Sequence, residues 1–180
     1  MRRDLGDETL SVESYRYDLF STPRGWMAIL VSSRGVRHVS LRPTPDRAIA
    51  DLGRDLDRAV QDPEAVAPLK ERILSFLAGT TESLDGITLD MEDAPPFFRA
   101  AWEACRTIPA GETRSYAWLA AAAGRPGAFR AAGQAMARNR FSLIVPCHRV
   151  IGSDGGLHGY GGGLDVKARL LEQEARHKRR

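Results

Sequence analysis

The chain has 180 residues, 43% of them hydrophobic and 27% charged, enough for one domain of ordinary size or two small ones with a real core. No apolar run approaches the roughly 18 residues that a membrane span needs, and Met1-Arg2-Arg3-Asp4-Leu5 lacks the apolar stretch of a secretory signal, so a cytoplasmic protein without membrane association is expected. Two cysteines, Cys105 and Cys147, are too few for a disulfide framework and lack the paired spacing of a cysteine-rich zinc module.

The net charge is only +3, but its halves differ: residues 1–96 hold 12 basic and 17 acidic side chains, residues 97–180 hold 14 and 6. A basic second half fits a polyanion such as nucleic acid, and equally fits a solvated basic face.

In chain order, Tyr15–Phe20 and the buried-looking run Trp26–Val31 predict two strands. Ser32-Ser33-Arg34-Gly35 predicts a turn, after which Val36, His38 and Ser40 alternate with Arg37, Val39 and Leu41 to complete a hairpin. Thr44 and Pro45 have the chemistry of a helix start, and Ile49, Leu52, Leu56 and Val60 recur on one helical face. A second helix carries Leu69, Ile73, Phe76 and Leu77 and stops at Gly79. Leu84–Pro96, with paired prolines, reads as a linker, dividing the chain into a scaffold domain (1–93) and a second domain (94–180).

The second part is mainly helical. Phe98, Ala101, Trp102 and Cys105 share one face, which makes Cys105 a buried apolar residue rather than a nucleophile. Ser115 caps a helix over Tyr116–Ala123 that Gly124 closes. The next helix, about Pro126–Arg138, places Phe129, Ala132, Gly133 and Met136 on one side and Arg130, Gln134 and Arg138 on another. Two helices around a short glycine-containing turn fit a helix-turn-helix, or an ordinary helical hairpin. Eight arginines against two acids between residues 97 and 149 make the stretch strongly positive.

Leu143-Ile144-Val145 predicts a buried strand leading into Pro146-Cys147-His148-Arg149. A thiol next to an imidazole is a nucleophile candidate, because a free thiol is only a few per cent thiolate at neutral pH and needs a base or a positive field. Neighbours in extended chain face opposite ways, so a bridging water is the natural relay between Cys147 and His148. A histidine base needs an acid to set its tautomer. At about 100° per residue from Leu164, Val166, Leu170 and Leu171 form an apolar stripe near about 250°; Glu174, at about 280°, lies in it, and Glu172, at about 80°, faces away. Glu174 is therefore the candidate partner of His148, the alternative being an exposed helix end. Gly152–Gly163 contains seven glycines and lets a ligand approach the backbone, yet it has no phosphate-loop pattern. No nucleotide cofactor is expected. The four histidines, 38, 148, 158 and 177, have no ligand-pair spacing, so no metal is expected either.

Pro146-Cys147-His148-Arg149-Val150 resembles the active-site motif of the O6-alkylguanine-DNA alkyltransferases, or methylated-DNA-protein-cysteine methyltransferases. Ile108–Tyr116 resembles the segment before that family's first DNA-binding helix, Gly159-Tyr160 with Gly162-Gly163-Leu164 its active-site loop, and Leu170-Leu171 with Glu174 its closing helix. The likeness is strong over 97–174 and loose over 15–93. It implies an α+β fold in which a ribonuclease-H-like N-terminal domain precedes a mostly helical domain with a helix-turn-helix.

By that resemblance Cys147 accepts the alkyl group, His148 is the base acting through water and Glu174 orients it. Asn139 braces the turn beside the site, and Tyr116 helps rotate the nucleotide out. Arg130 fills the vacated stack, while the small Ala131 and Gly133 let the helix enter the minor groove. The backbone at Tyr160 recognises the flipped base. Extrusion is also a physical requirement, since a thiol cannot reach an alkylated oxygen inside a duplex. The implied partner is double-stranded DNA with alkylated guanine, or thymine, bound by a monomer of the stand-alone bacterial type. Gly161 departs from the family, standing where some members have a serine whose hydroxyl bonds the guanine oxygen, so a backbone donor alone is expected there. Phe98 stands where glutamine is common. Two other functions compete: a cysteine hydrolase, and a non-enzymatic protein that binds alkylated DNA.

Overall fold

The computed structural model describes residues 14–80 and 83–177; the reading of the first five residues lies outside them. Strands β1 (Tyr15–Thr22), β2 (Gly25–Ser32) and β3 (Gly35–Arg42) form an antiparallel meander. Its β2–β3 register slips at Leu30/Val31, leaving Arg37 as the extra residue of a bulge. Strict alternation assigns Val36 and Val39 to opposite faces. The bulge instead brings Val36, Val39 and Leu41 into one core cluster.

Thr44 caps α1 (Pro45–Ala50) by accepting from the Arg47 N–H. The apolar helical face expected to run on to Val60 breaks early, because Gly53 adopts a left-handed φ of 56°. A 3-10 turn, Gly53–Arg58, leads instead into β4 (Ala59–Gln61), parallel to β1. Val60 is consequently 52% exposed on a sheet edge. In α2 (Pro63–Leu77), Val66, Ile73, Phe76 and Leu77 are buried. Gly79 at φ 74° ends it, with the Gly79 and Thr80 N–H groups donating to Phe76 and Ser75 carbonyls.

The sheet order is β3-β2-β1-β4. One face packs Ala28 and Leu30 against Ala48 and Leu52 of the α1 segment. The other contributes Met27, Ile29 and Leu41 to a core shared with Ile73, Trp102, Leu119 and Phe141. The expected linker is strapped to β3: the Val36 N–H donates to Thr88 O (3.0 Å), the Asp90 N–H donates to Val36 O (2.7 Å), and Leu84, Asp90 and Ala94 are buried. Pro96 does not interrupt structure but opens α3 (Pro96–Arg106), where its missing N–H costs nothing.

Cys105 is fully buried with Ala101 and Trp102 on α3. After β5 (Arg114–Ser115), Ser115 caps α4 (Tyr116–Ala122) by accepting from the Trp118 N–H. Gly124 and Arg125 close that helix by donating to Ala121 and Ala120 carbonyls. Then α5 (Phe129–Ala137) buries Ala132, Ala135 and Met136. Phe129, placed on the buried side by its spacing, begins the helix one turn short of Ala132 and is 53% exposed.

The predicted strand at Leu143–Val145 is a turn. Leu143 has a left-handed φ of 72°, a conformation costing a branched side chain about 1–3 kcal/mol. Its neighbours hold it: the Ser142 N–H donates to Val39 O (2.9 Å) and the Val145 N–H to Phe141 O (2.9 Å). A short apolar run records burial and not backbone shape. Cys147–Arg149 forms a single 3-10 turn, β6 (Val150–Ile151) pairs parallel with β5, and α6 (Leu164–His177) closes the fold. Among the described residues no helix is long and apolar enough to cross a membrane.

Candidate active site

The β5–β6 pairing sets the start of α4 beside the Cys147 turn, and the glycine-rich loop comes in from the other side. The result is a cavity of about 300 Å³ whose lining includes Tyr116, Gly133, Asn139, Cys147, Tyr160 and Gly161. These residues from α4, α5, the Cys147 turn and the loop are far apart in sequence and meet at one cavity.

Asn139 holds the turn together. Its side-chain N–H groups donate to Val145 O (3.0 Å) and to Cys147 Sγ (3.2 Å), and its oxygen accepts from the Phe141 N–H (2.9 Å). Burial pushes the Cys147 thiol up, opposed by the Asn139 hydrogen bond and by the charges of Lys167 and Arg42. Burial also raises Cys105 well above its ordinary value, with Arg149 and Lys167 opposing it, whereas Cys147 has in addition the Asn139 hydrogen bond.

His148 is fully buried, and its Nε2 lies 2.8 Å from Glu174 Oε1. Facing a carboxylate, Nε2 carries the proton and Nδ1 is left as the acceptor; Nδ1 has no protein partner among the described residues. Burial pushes the imidazole pKa down, and the Glu174 bond opposes this only in part. The ring is therefore neutral at pH 7, the state a base requires. Burial pushes the Glu174 carboxyl up, but the hydrogen bonds from His148 and Arg149 and the positive charge of Arg149 outweigh it and hold the pKa at about 2.

Three participants escaped the sequence reading. Arg149 donates from Nε (3.0 Å) and Nη2 (2.8 Å) to Glu174 and from Nη1 to Ile108 O (2.5 Å), and the Gly111 N–H donates to the same carboxylate (3.1 Å). Lys167 is fully buried, its ammonium donating to Val150 O (2.8 Å) and to Leu157 O. Its angle on the α6 wheel, about 300°, adjoins that of Glu174, so the same stripe carried the signal. Arg42 comes from β3 and lines the cavity, and nothing local in the sequence points to it. Where a backbone donor alone was expected beside Gly161, a guanidinium stands as well.

Other named residues take simpler places. Arg130 is exposed and Ala131 is partly buried on α5, and the nearest heavy atom to a Cβ added at Gly133 would be on the Tyr116 ring, at 4.0 Å. Glu172 is exposed and pairs with Arg176 at 2.7 Å. His158 is an exposed loop residue, 3.4 Å from Asp154. Phe98 stacks at a tilt on Trp102, centroids 6.0 Å apart.

The model of the 6-O-methylguanine DNA methyltransferase DNA-binding domain matches residues 96–176. A methylated-DNA–protein-cysteine methyltransferase of Methanosarcina barkeri is 34% identical over 163 residues, covering 91% of this chain and 99% of that one. The chain belongs to this methyltransferase family. A second relative, the methyltransferase of Mycolicibacterium paratuberculosis, is 48% identical over 117 residues, 65% of this chain and 70% of its own. A crystal structure of Mycobacterium tuberculosis OGT in complex with DNA superimposes with a TM-score of 0.76 at 35% identity, over 91% of this chain and 93% of that one. The mixed sheet-and-helix architecture is thus that of the methyltransferase family, and the family model spans every cavity residue named above except Arg42.

Proposed function

We propose that Cys147 is the acceptor in a direct, stoichiometric transfer of an alkyl group from O6-alkylguanine in double-stranded DNA, with O4-alkylthymine a second substrate. The observation that carries this reading is the half-buried Cys147 lining a cavity of about 300 Å³, backed by a neutral, buried His148 whose free nitrogen is set by Glu174. His148 Nδ1 takes the thiol proton through a bridging water. The thiolate attacks the alkyl carbon, the S–C bond forms as the C–O6 bond breaks, and the electron pair leaves on the guanine oxygen. The guanine anion takes up a proton at its ring N1, equivalent to the one His148 removed from the thiol, so His148 returns to neutral and the products are a thioether and normal guanine. Lys167 and Arg42 place positive charge where the thiolate and the departing oxyanion are negative.

Access to the buried lesion comes from α4 and α5, read as a helix-turn-helix within a DNA-binding and acceptor domain (94–180), the first 93 residues forming a ribonuclease-H-like scaffold. Exposed Arg130 fills the vacated stack, Ala131 and Gly133 keep the helix face low for the minor groove, and Tyr116, which lines the cavity, helps turn the nucleotide. Tyr160 borders the base with backbone groups, and Asn139 fixes the Cys147 turn. The protein acts as a cytoplasmic monomer, without cofactor or metal.

Incubating a known amount of protein with excess methylated duplex should plateau at one alkyl group per chain, on Cys147, because a thioether offers His148 no cleavable bond. Cys147→Ser should take up none, and Cys105→Ala should reach the full plateau. Sustained turnover would overturn this reading and favour a cysteine hydrolase, and label on Cys105 would assign the wrong thiol.

A further inference from the structure

Gly161 is not a glycine its backbone requires. Left-handed φ values occur in this loop at Gly155 and Gly163 but not at Gly161, so alanine or serine could adopt its conformation. What a side chain there would meet is Arg42, which would have to move: a Cβ added at Gly161 would lie 2.8 Å from the guanidinium carbon and nearer still to Nη1. The guanidinium has taken the volume that a side chain on the loop would fill.

Arg42 is held there from behind. Its Nη2 pairs with Asp51 at 2.8 Å, and Asp51 in turn accepts from the Ser40 hydroxyl at 2.5 Å. Among the described residues Nη1 has a long contact, 3.4 Å, to Leu41 O. A second cavity, of about 280 Å³, lies beyond it and is lined by His38, Asp51 and Arg138 among others. Arg42 borders both cavities, so its side chain is part of the partition between them.

We propose that Arg42 is a specificity-determining residue of the acceptor cavity: admitted by the missing side chain at Gly161, it forms the wall that limits the size of alkyl group accepted. The proposal rests on the alkyl-transfer reading above. The pairing of Arg42 with Gly161 is a single device, in which the sheet supplies the side chain that the loop gives up. Removing the guanidinium opens the acceptor cavity toward its neighbour, and adding a side chain at Gly161 drives the guanidinium off its seat. The second change should then matter only while Arg42 is present.

The test measures single-turnover alkyl transfer from free O6-methylguanine and O6-benzylguanine, separating saturating rate from half-saturating concentration. Arg42→Ala should raise the benzyl-to-methyl rate ratio about tenfold, the discrimination one pocket wall typically supplies. Arg42→Met, which keeps bulk and loses charge, should hold the wild-type ratio while slowing both substrates. Gly161→Ser should slow transfer about tenfold in the wild-type background and less than about twofold beside Arg42→Ala, the non-additivity expected of residues in contact. The Arg42–Asp51 pair is part-exposed, so folding should survive its loss, and melting curves check this. An unchanged ratio in Arg42→Ala, or equal cost of Gly161→Ser in both backgrounds, overturns the proposal while the one-alkyl plateau leaves the repair reading intact. Absence of any transfer by wild-type protein would sink the repair reading itself, and this one with it.

Discussion

Glu174→Gln is a sharper perturbation than its small size suggests. The carboxylate accepts from His148 Nε2, from Arg149 Nε and Nη2, and from the Gly111 N–H, all at 2.8–3.2 Å, and it is 4% exposed. Glutamine offers one oxygen and turns two N–H donors toward a ring of donors, and it leaves the Arg149 guanidinium buried without a counter-charge. Breaking a buried pair on one side costs about 3–5 kcal/mol. For a chain of this size that lowers Tm by about 6–20 °C. Kinetically, His148 loses the group that sets its tautomer, and alkyl transfer should slow by about 10²- to 10⁴-fold at a temperature where the variant is still folded. Duplex affinity should change little.

Two controls separate stability from chemistry. Glu172→Gln, on the exposed pair with Arg176, should stay within about 1 kcal/mol and keep its rate. Arg149→Met with Glu174→Gln removes the stranded charge, so Tm should recover by several degrees while transfer remains slow. The measurements are thermal unfolding and single-turnover transfer from methylated duplex and free base. Wild-type Tm and rate for Glu174→Gln would refute the reasoning; recovery of rate along with Tm in the double variant would show that Glu174 serves stability alone.

Arg130→Ala should react much more slowly than wild type with duplex, because the few kcal/mol of unstacking returns to the substrate, yet nearly normally with free O6-alkylguanine; equal losses on both would make Arg130 a structural residue, and comparison at two salt concentrations separates lost phosphate attraction. Stability should also fall as pH drops. Burial holds His38 down at about 4, with Arg140 adding to this and Asp55 opposing it, and His148 is lowered too, chiefly by burial. Below about 6.5 the unfolded chain takes up protons that the folded chain refuses, so unfolding free energy declines from pH 6.5 toward 4, by up to about 1.4 kcal/mol per pH unit for each histidine. His38→Gln should flatten that decline by about half; an unaltered slope would mean that His38 is protonated in the folded state.

What the sequence determined by itself is what local chemistry encodes. Ser115 and Gly124 bound α4 because a cap and a left-handed closure need only neighbours a few residues away, and Glu174 was found because α6 repeats its face every turn. Burial of Cys105 followed from the same periodicity. Where the outcome depended on a distant partner, the local pattern misled or fell silent. The apolar run Leu143–Val145 is buried as a strand would be, yet its turn is imposed by Asn139 and β3 across the core. The bulge at Arg37 follows from pairing with β2 and resets the face of Val36. Arg149 and Lys167 take their roles from buried carbonyls and Glu174 that the fold brings to them. Arg42 lies more than a hundred residues from Cys147, so its place in the cavity wall follows from the sheet packing beside the loop, a contact that no window of neighbouring residues contains.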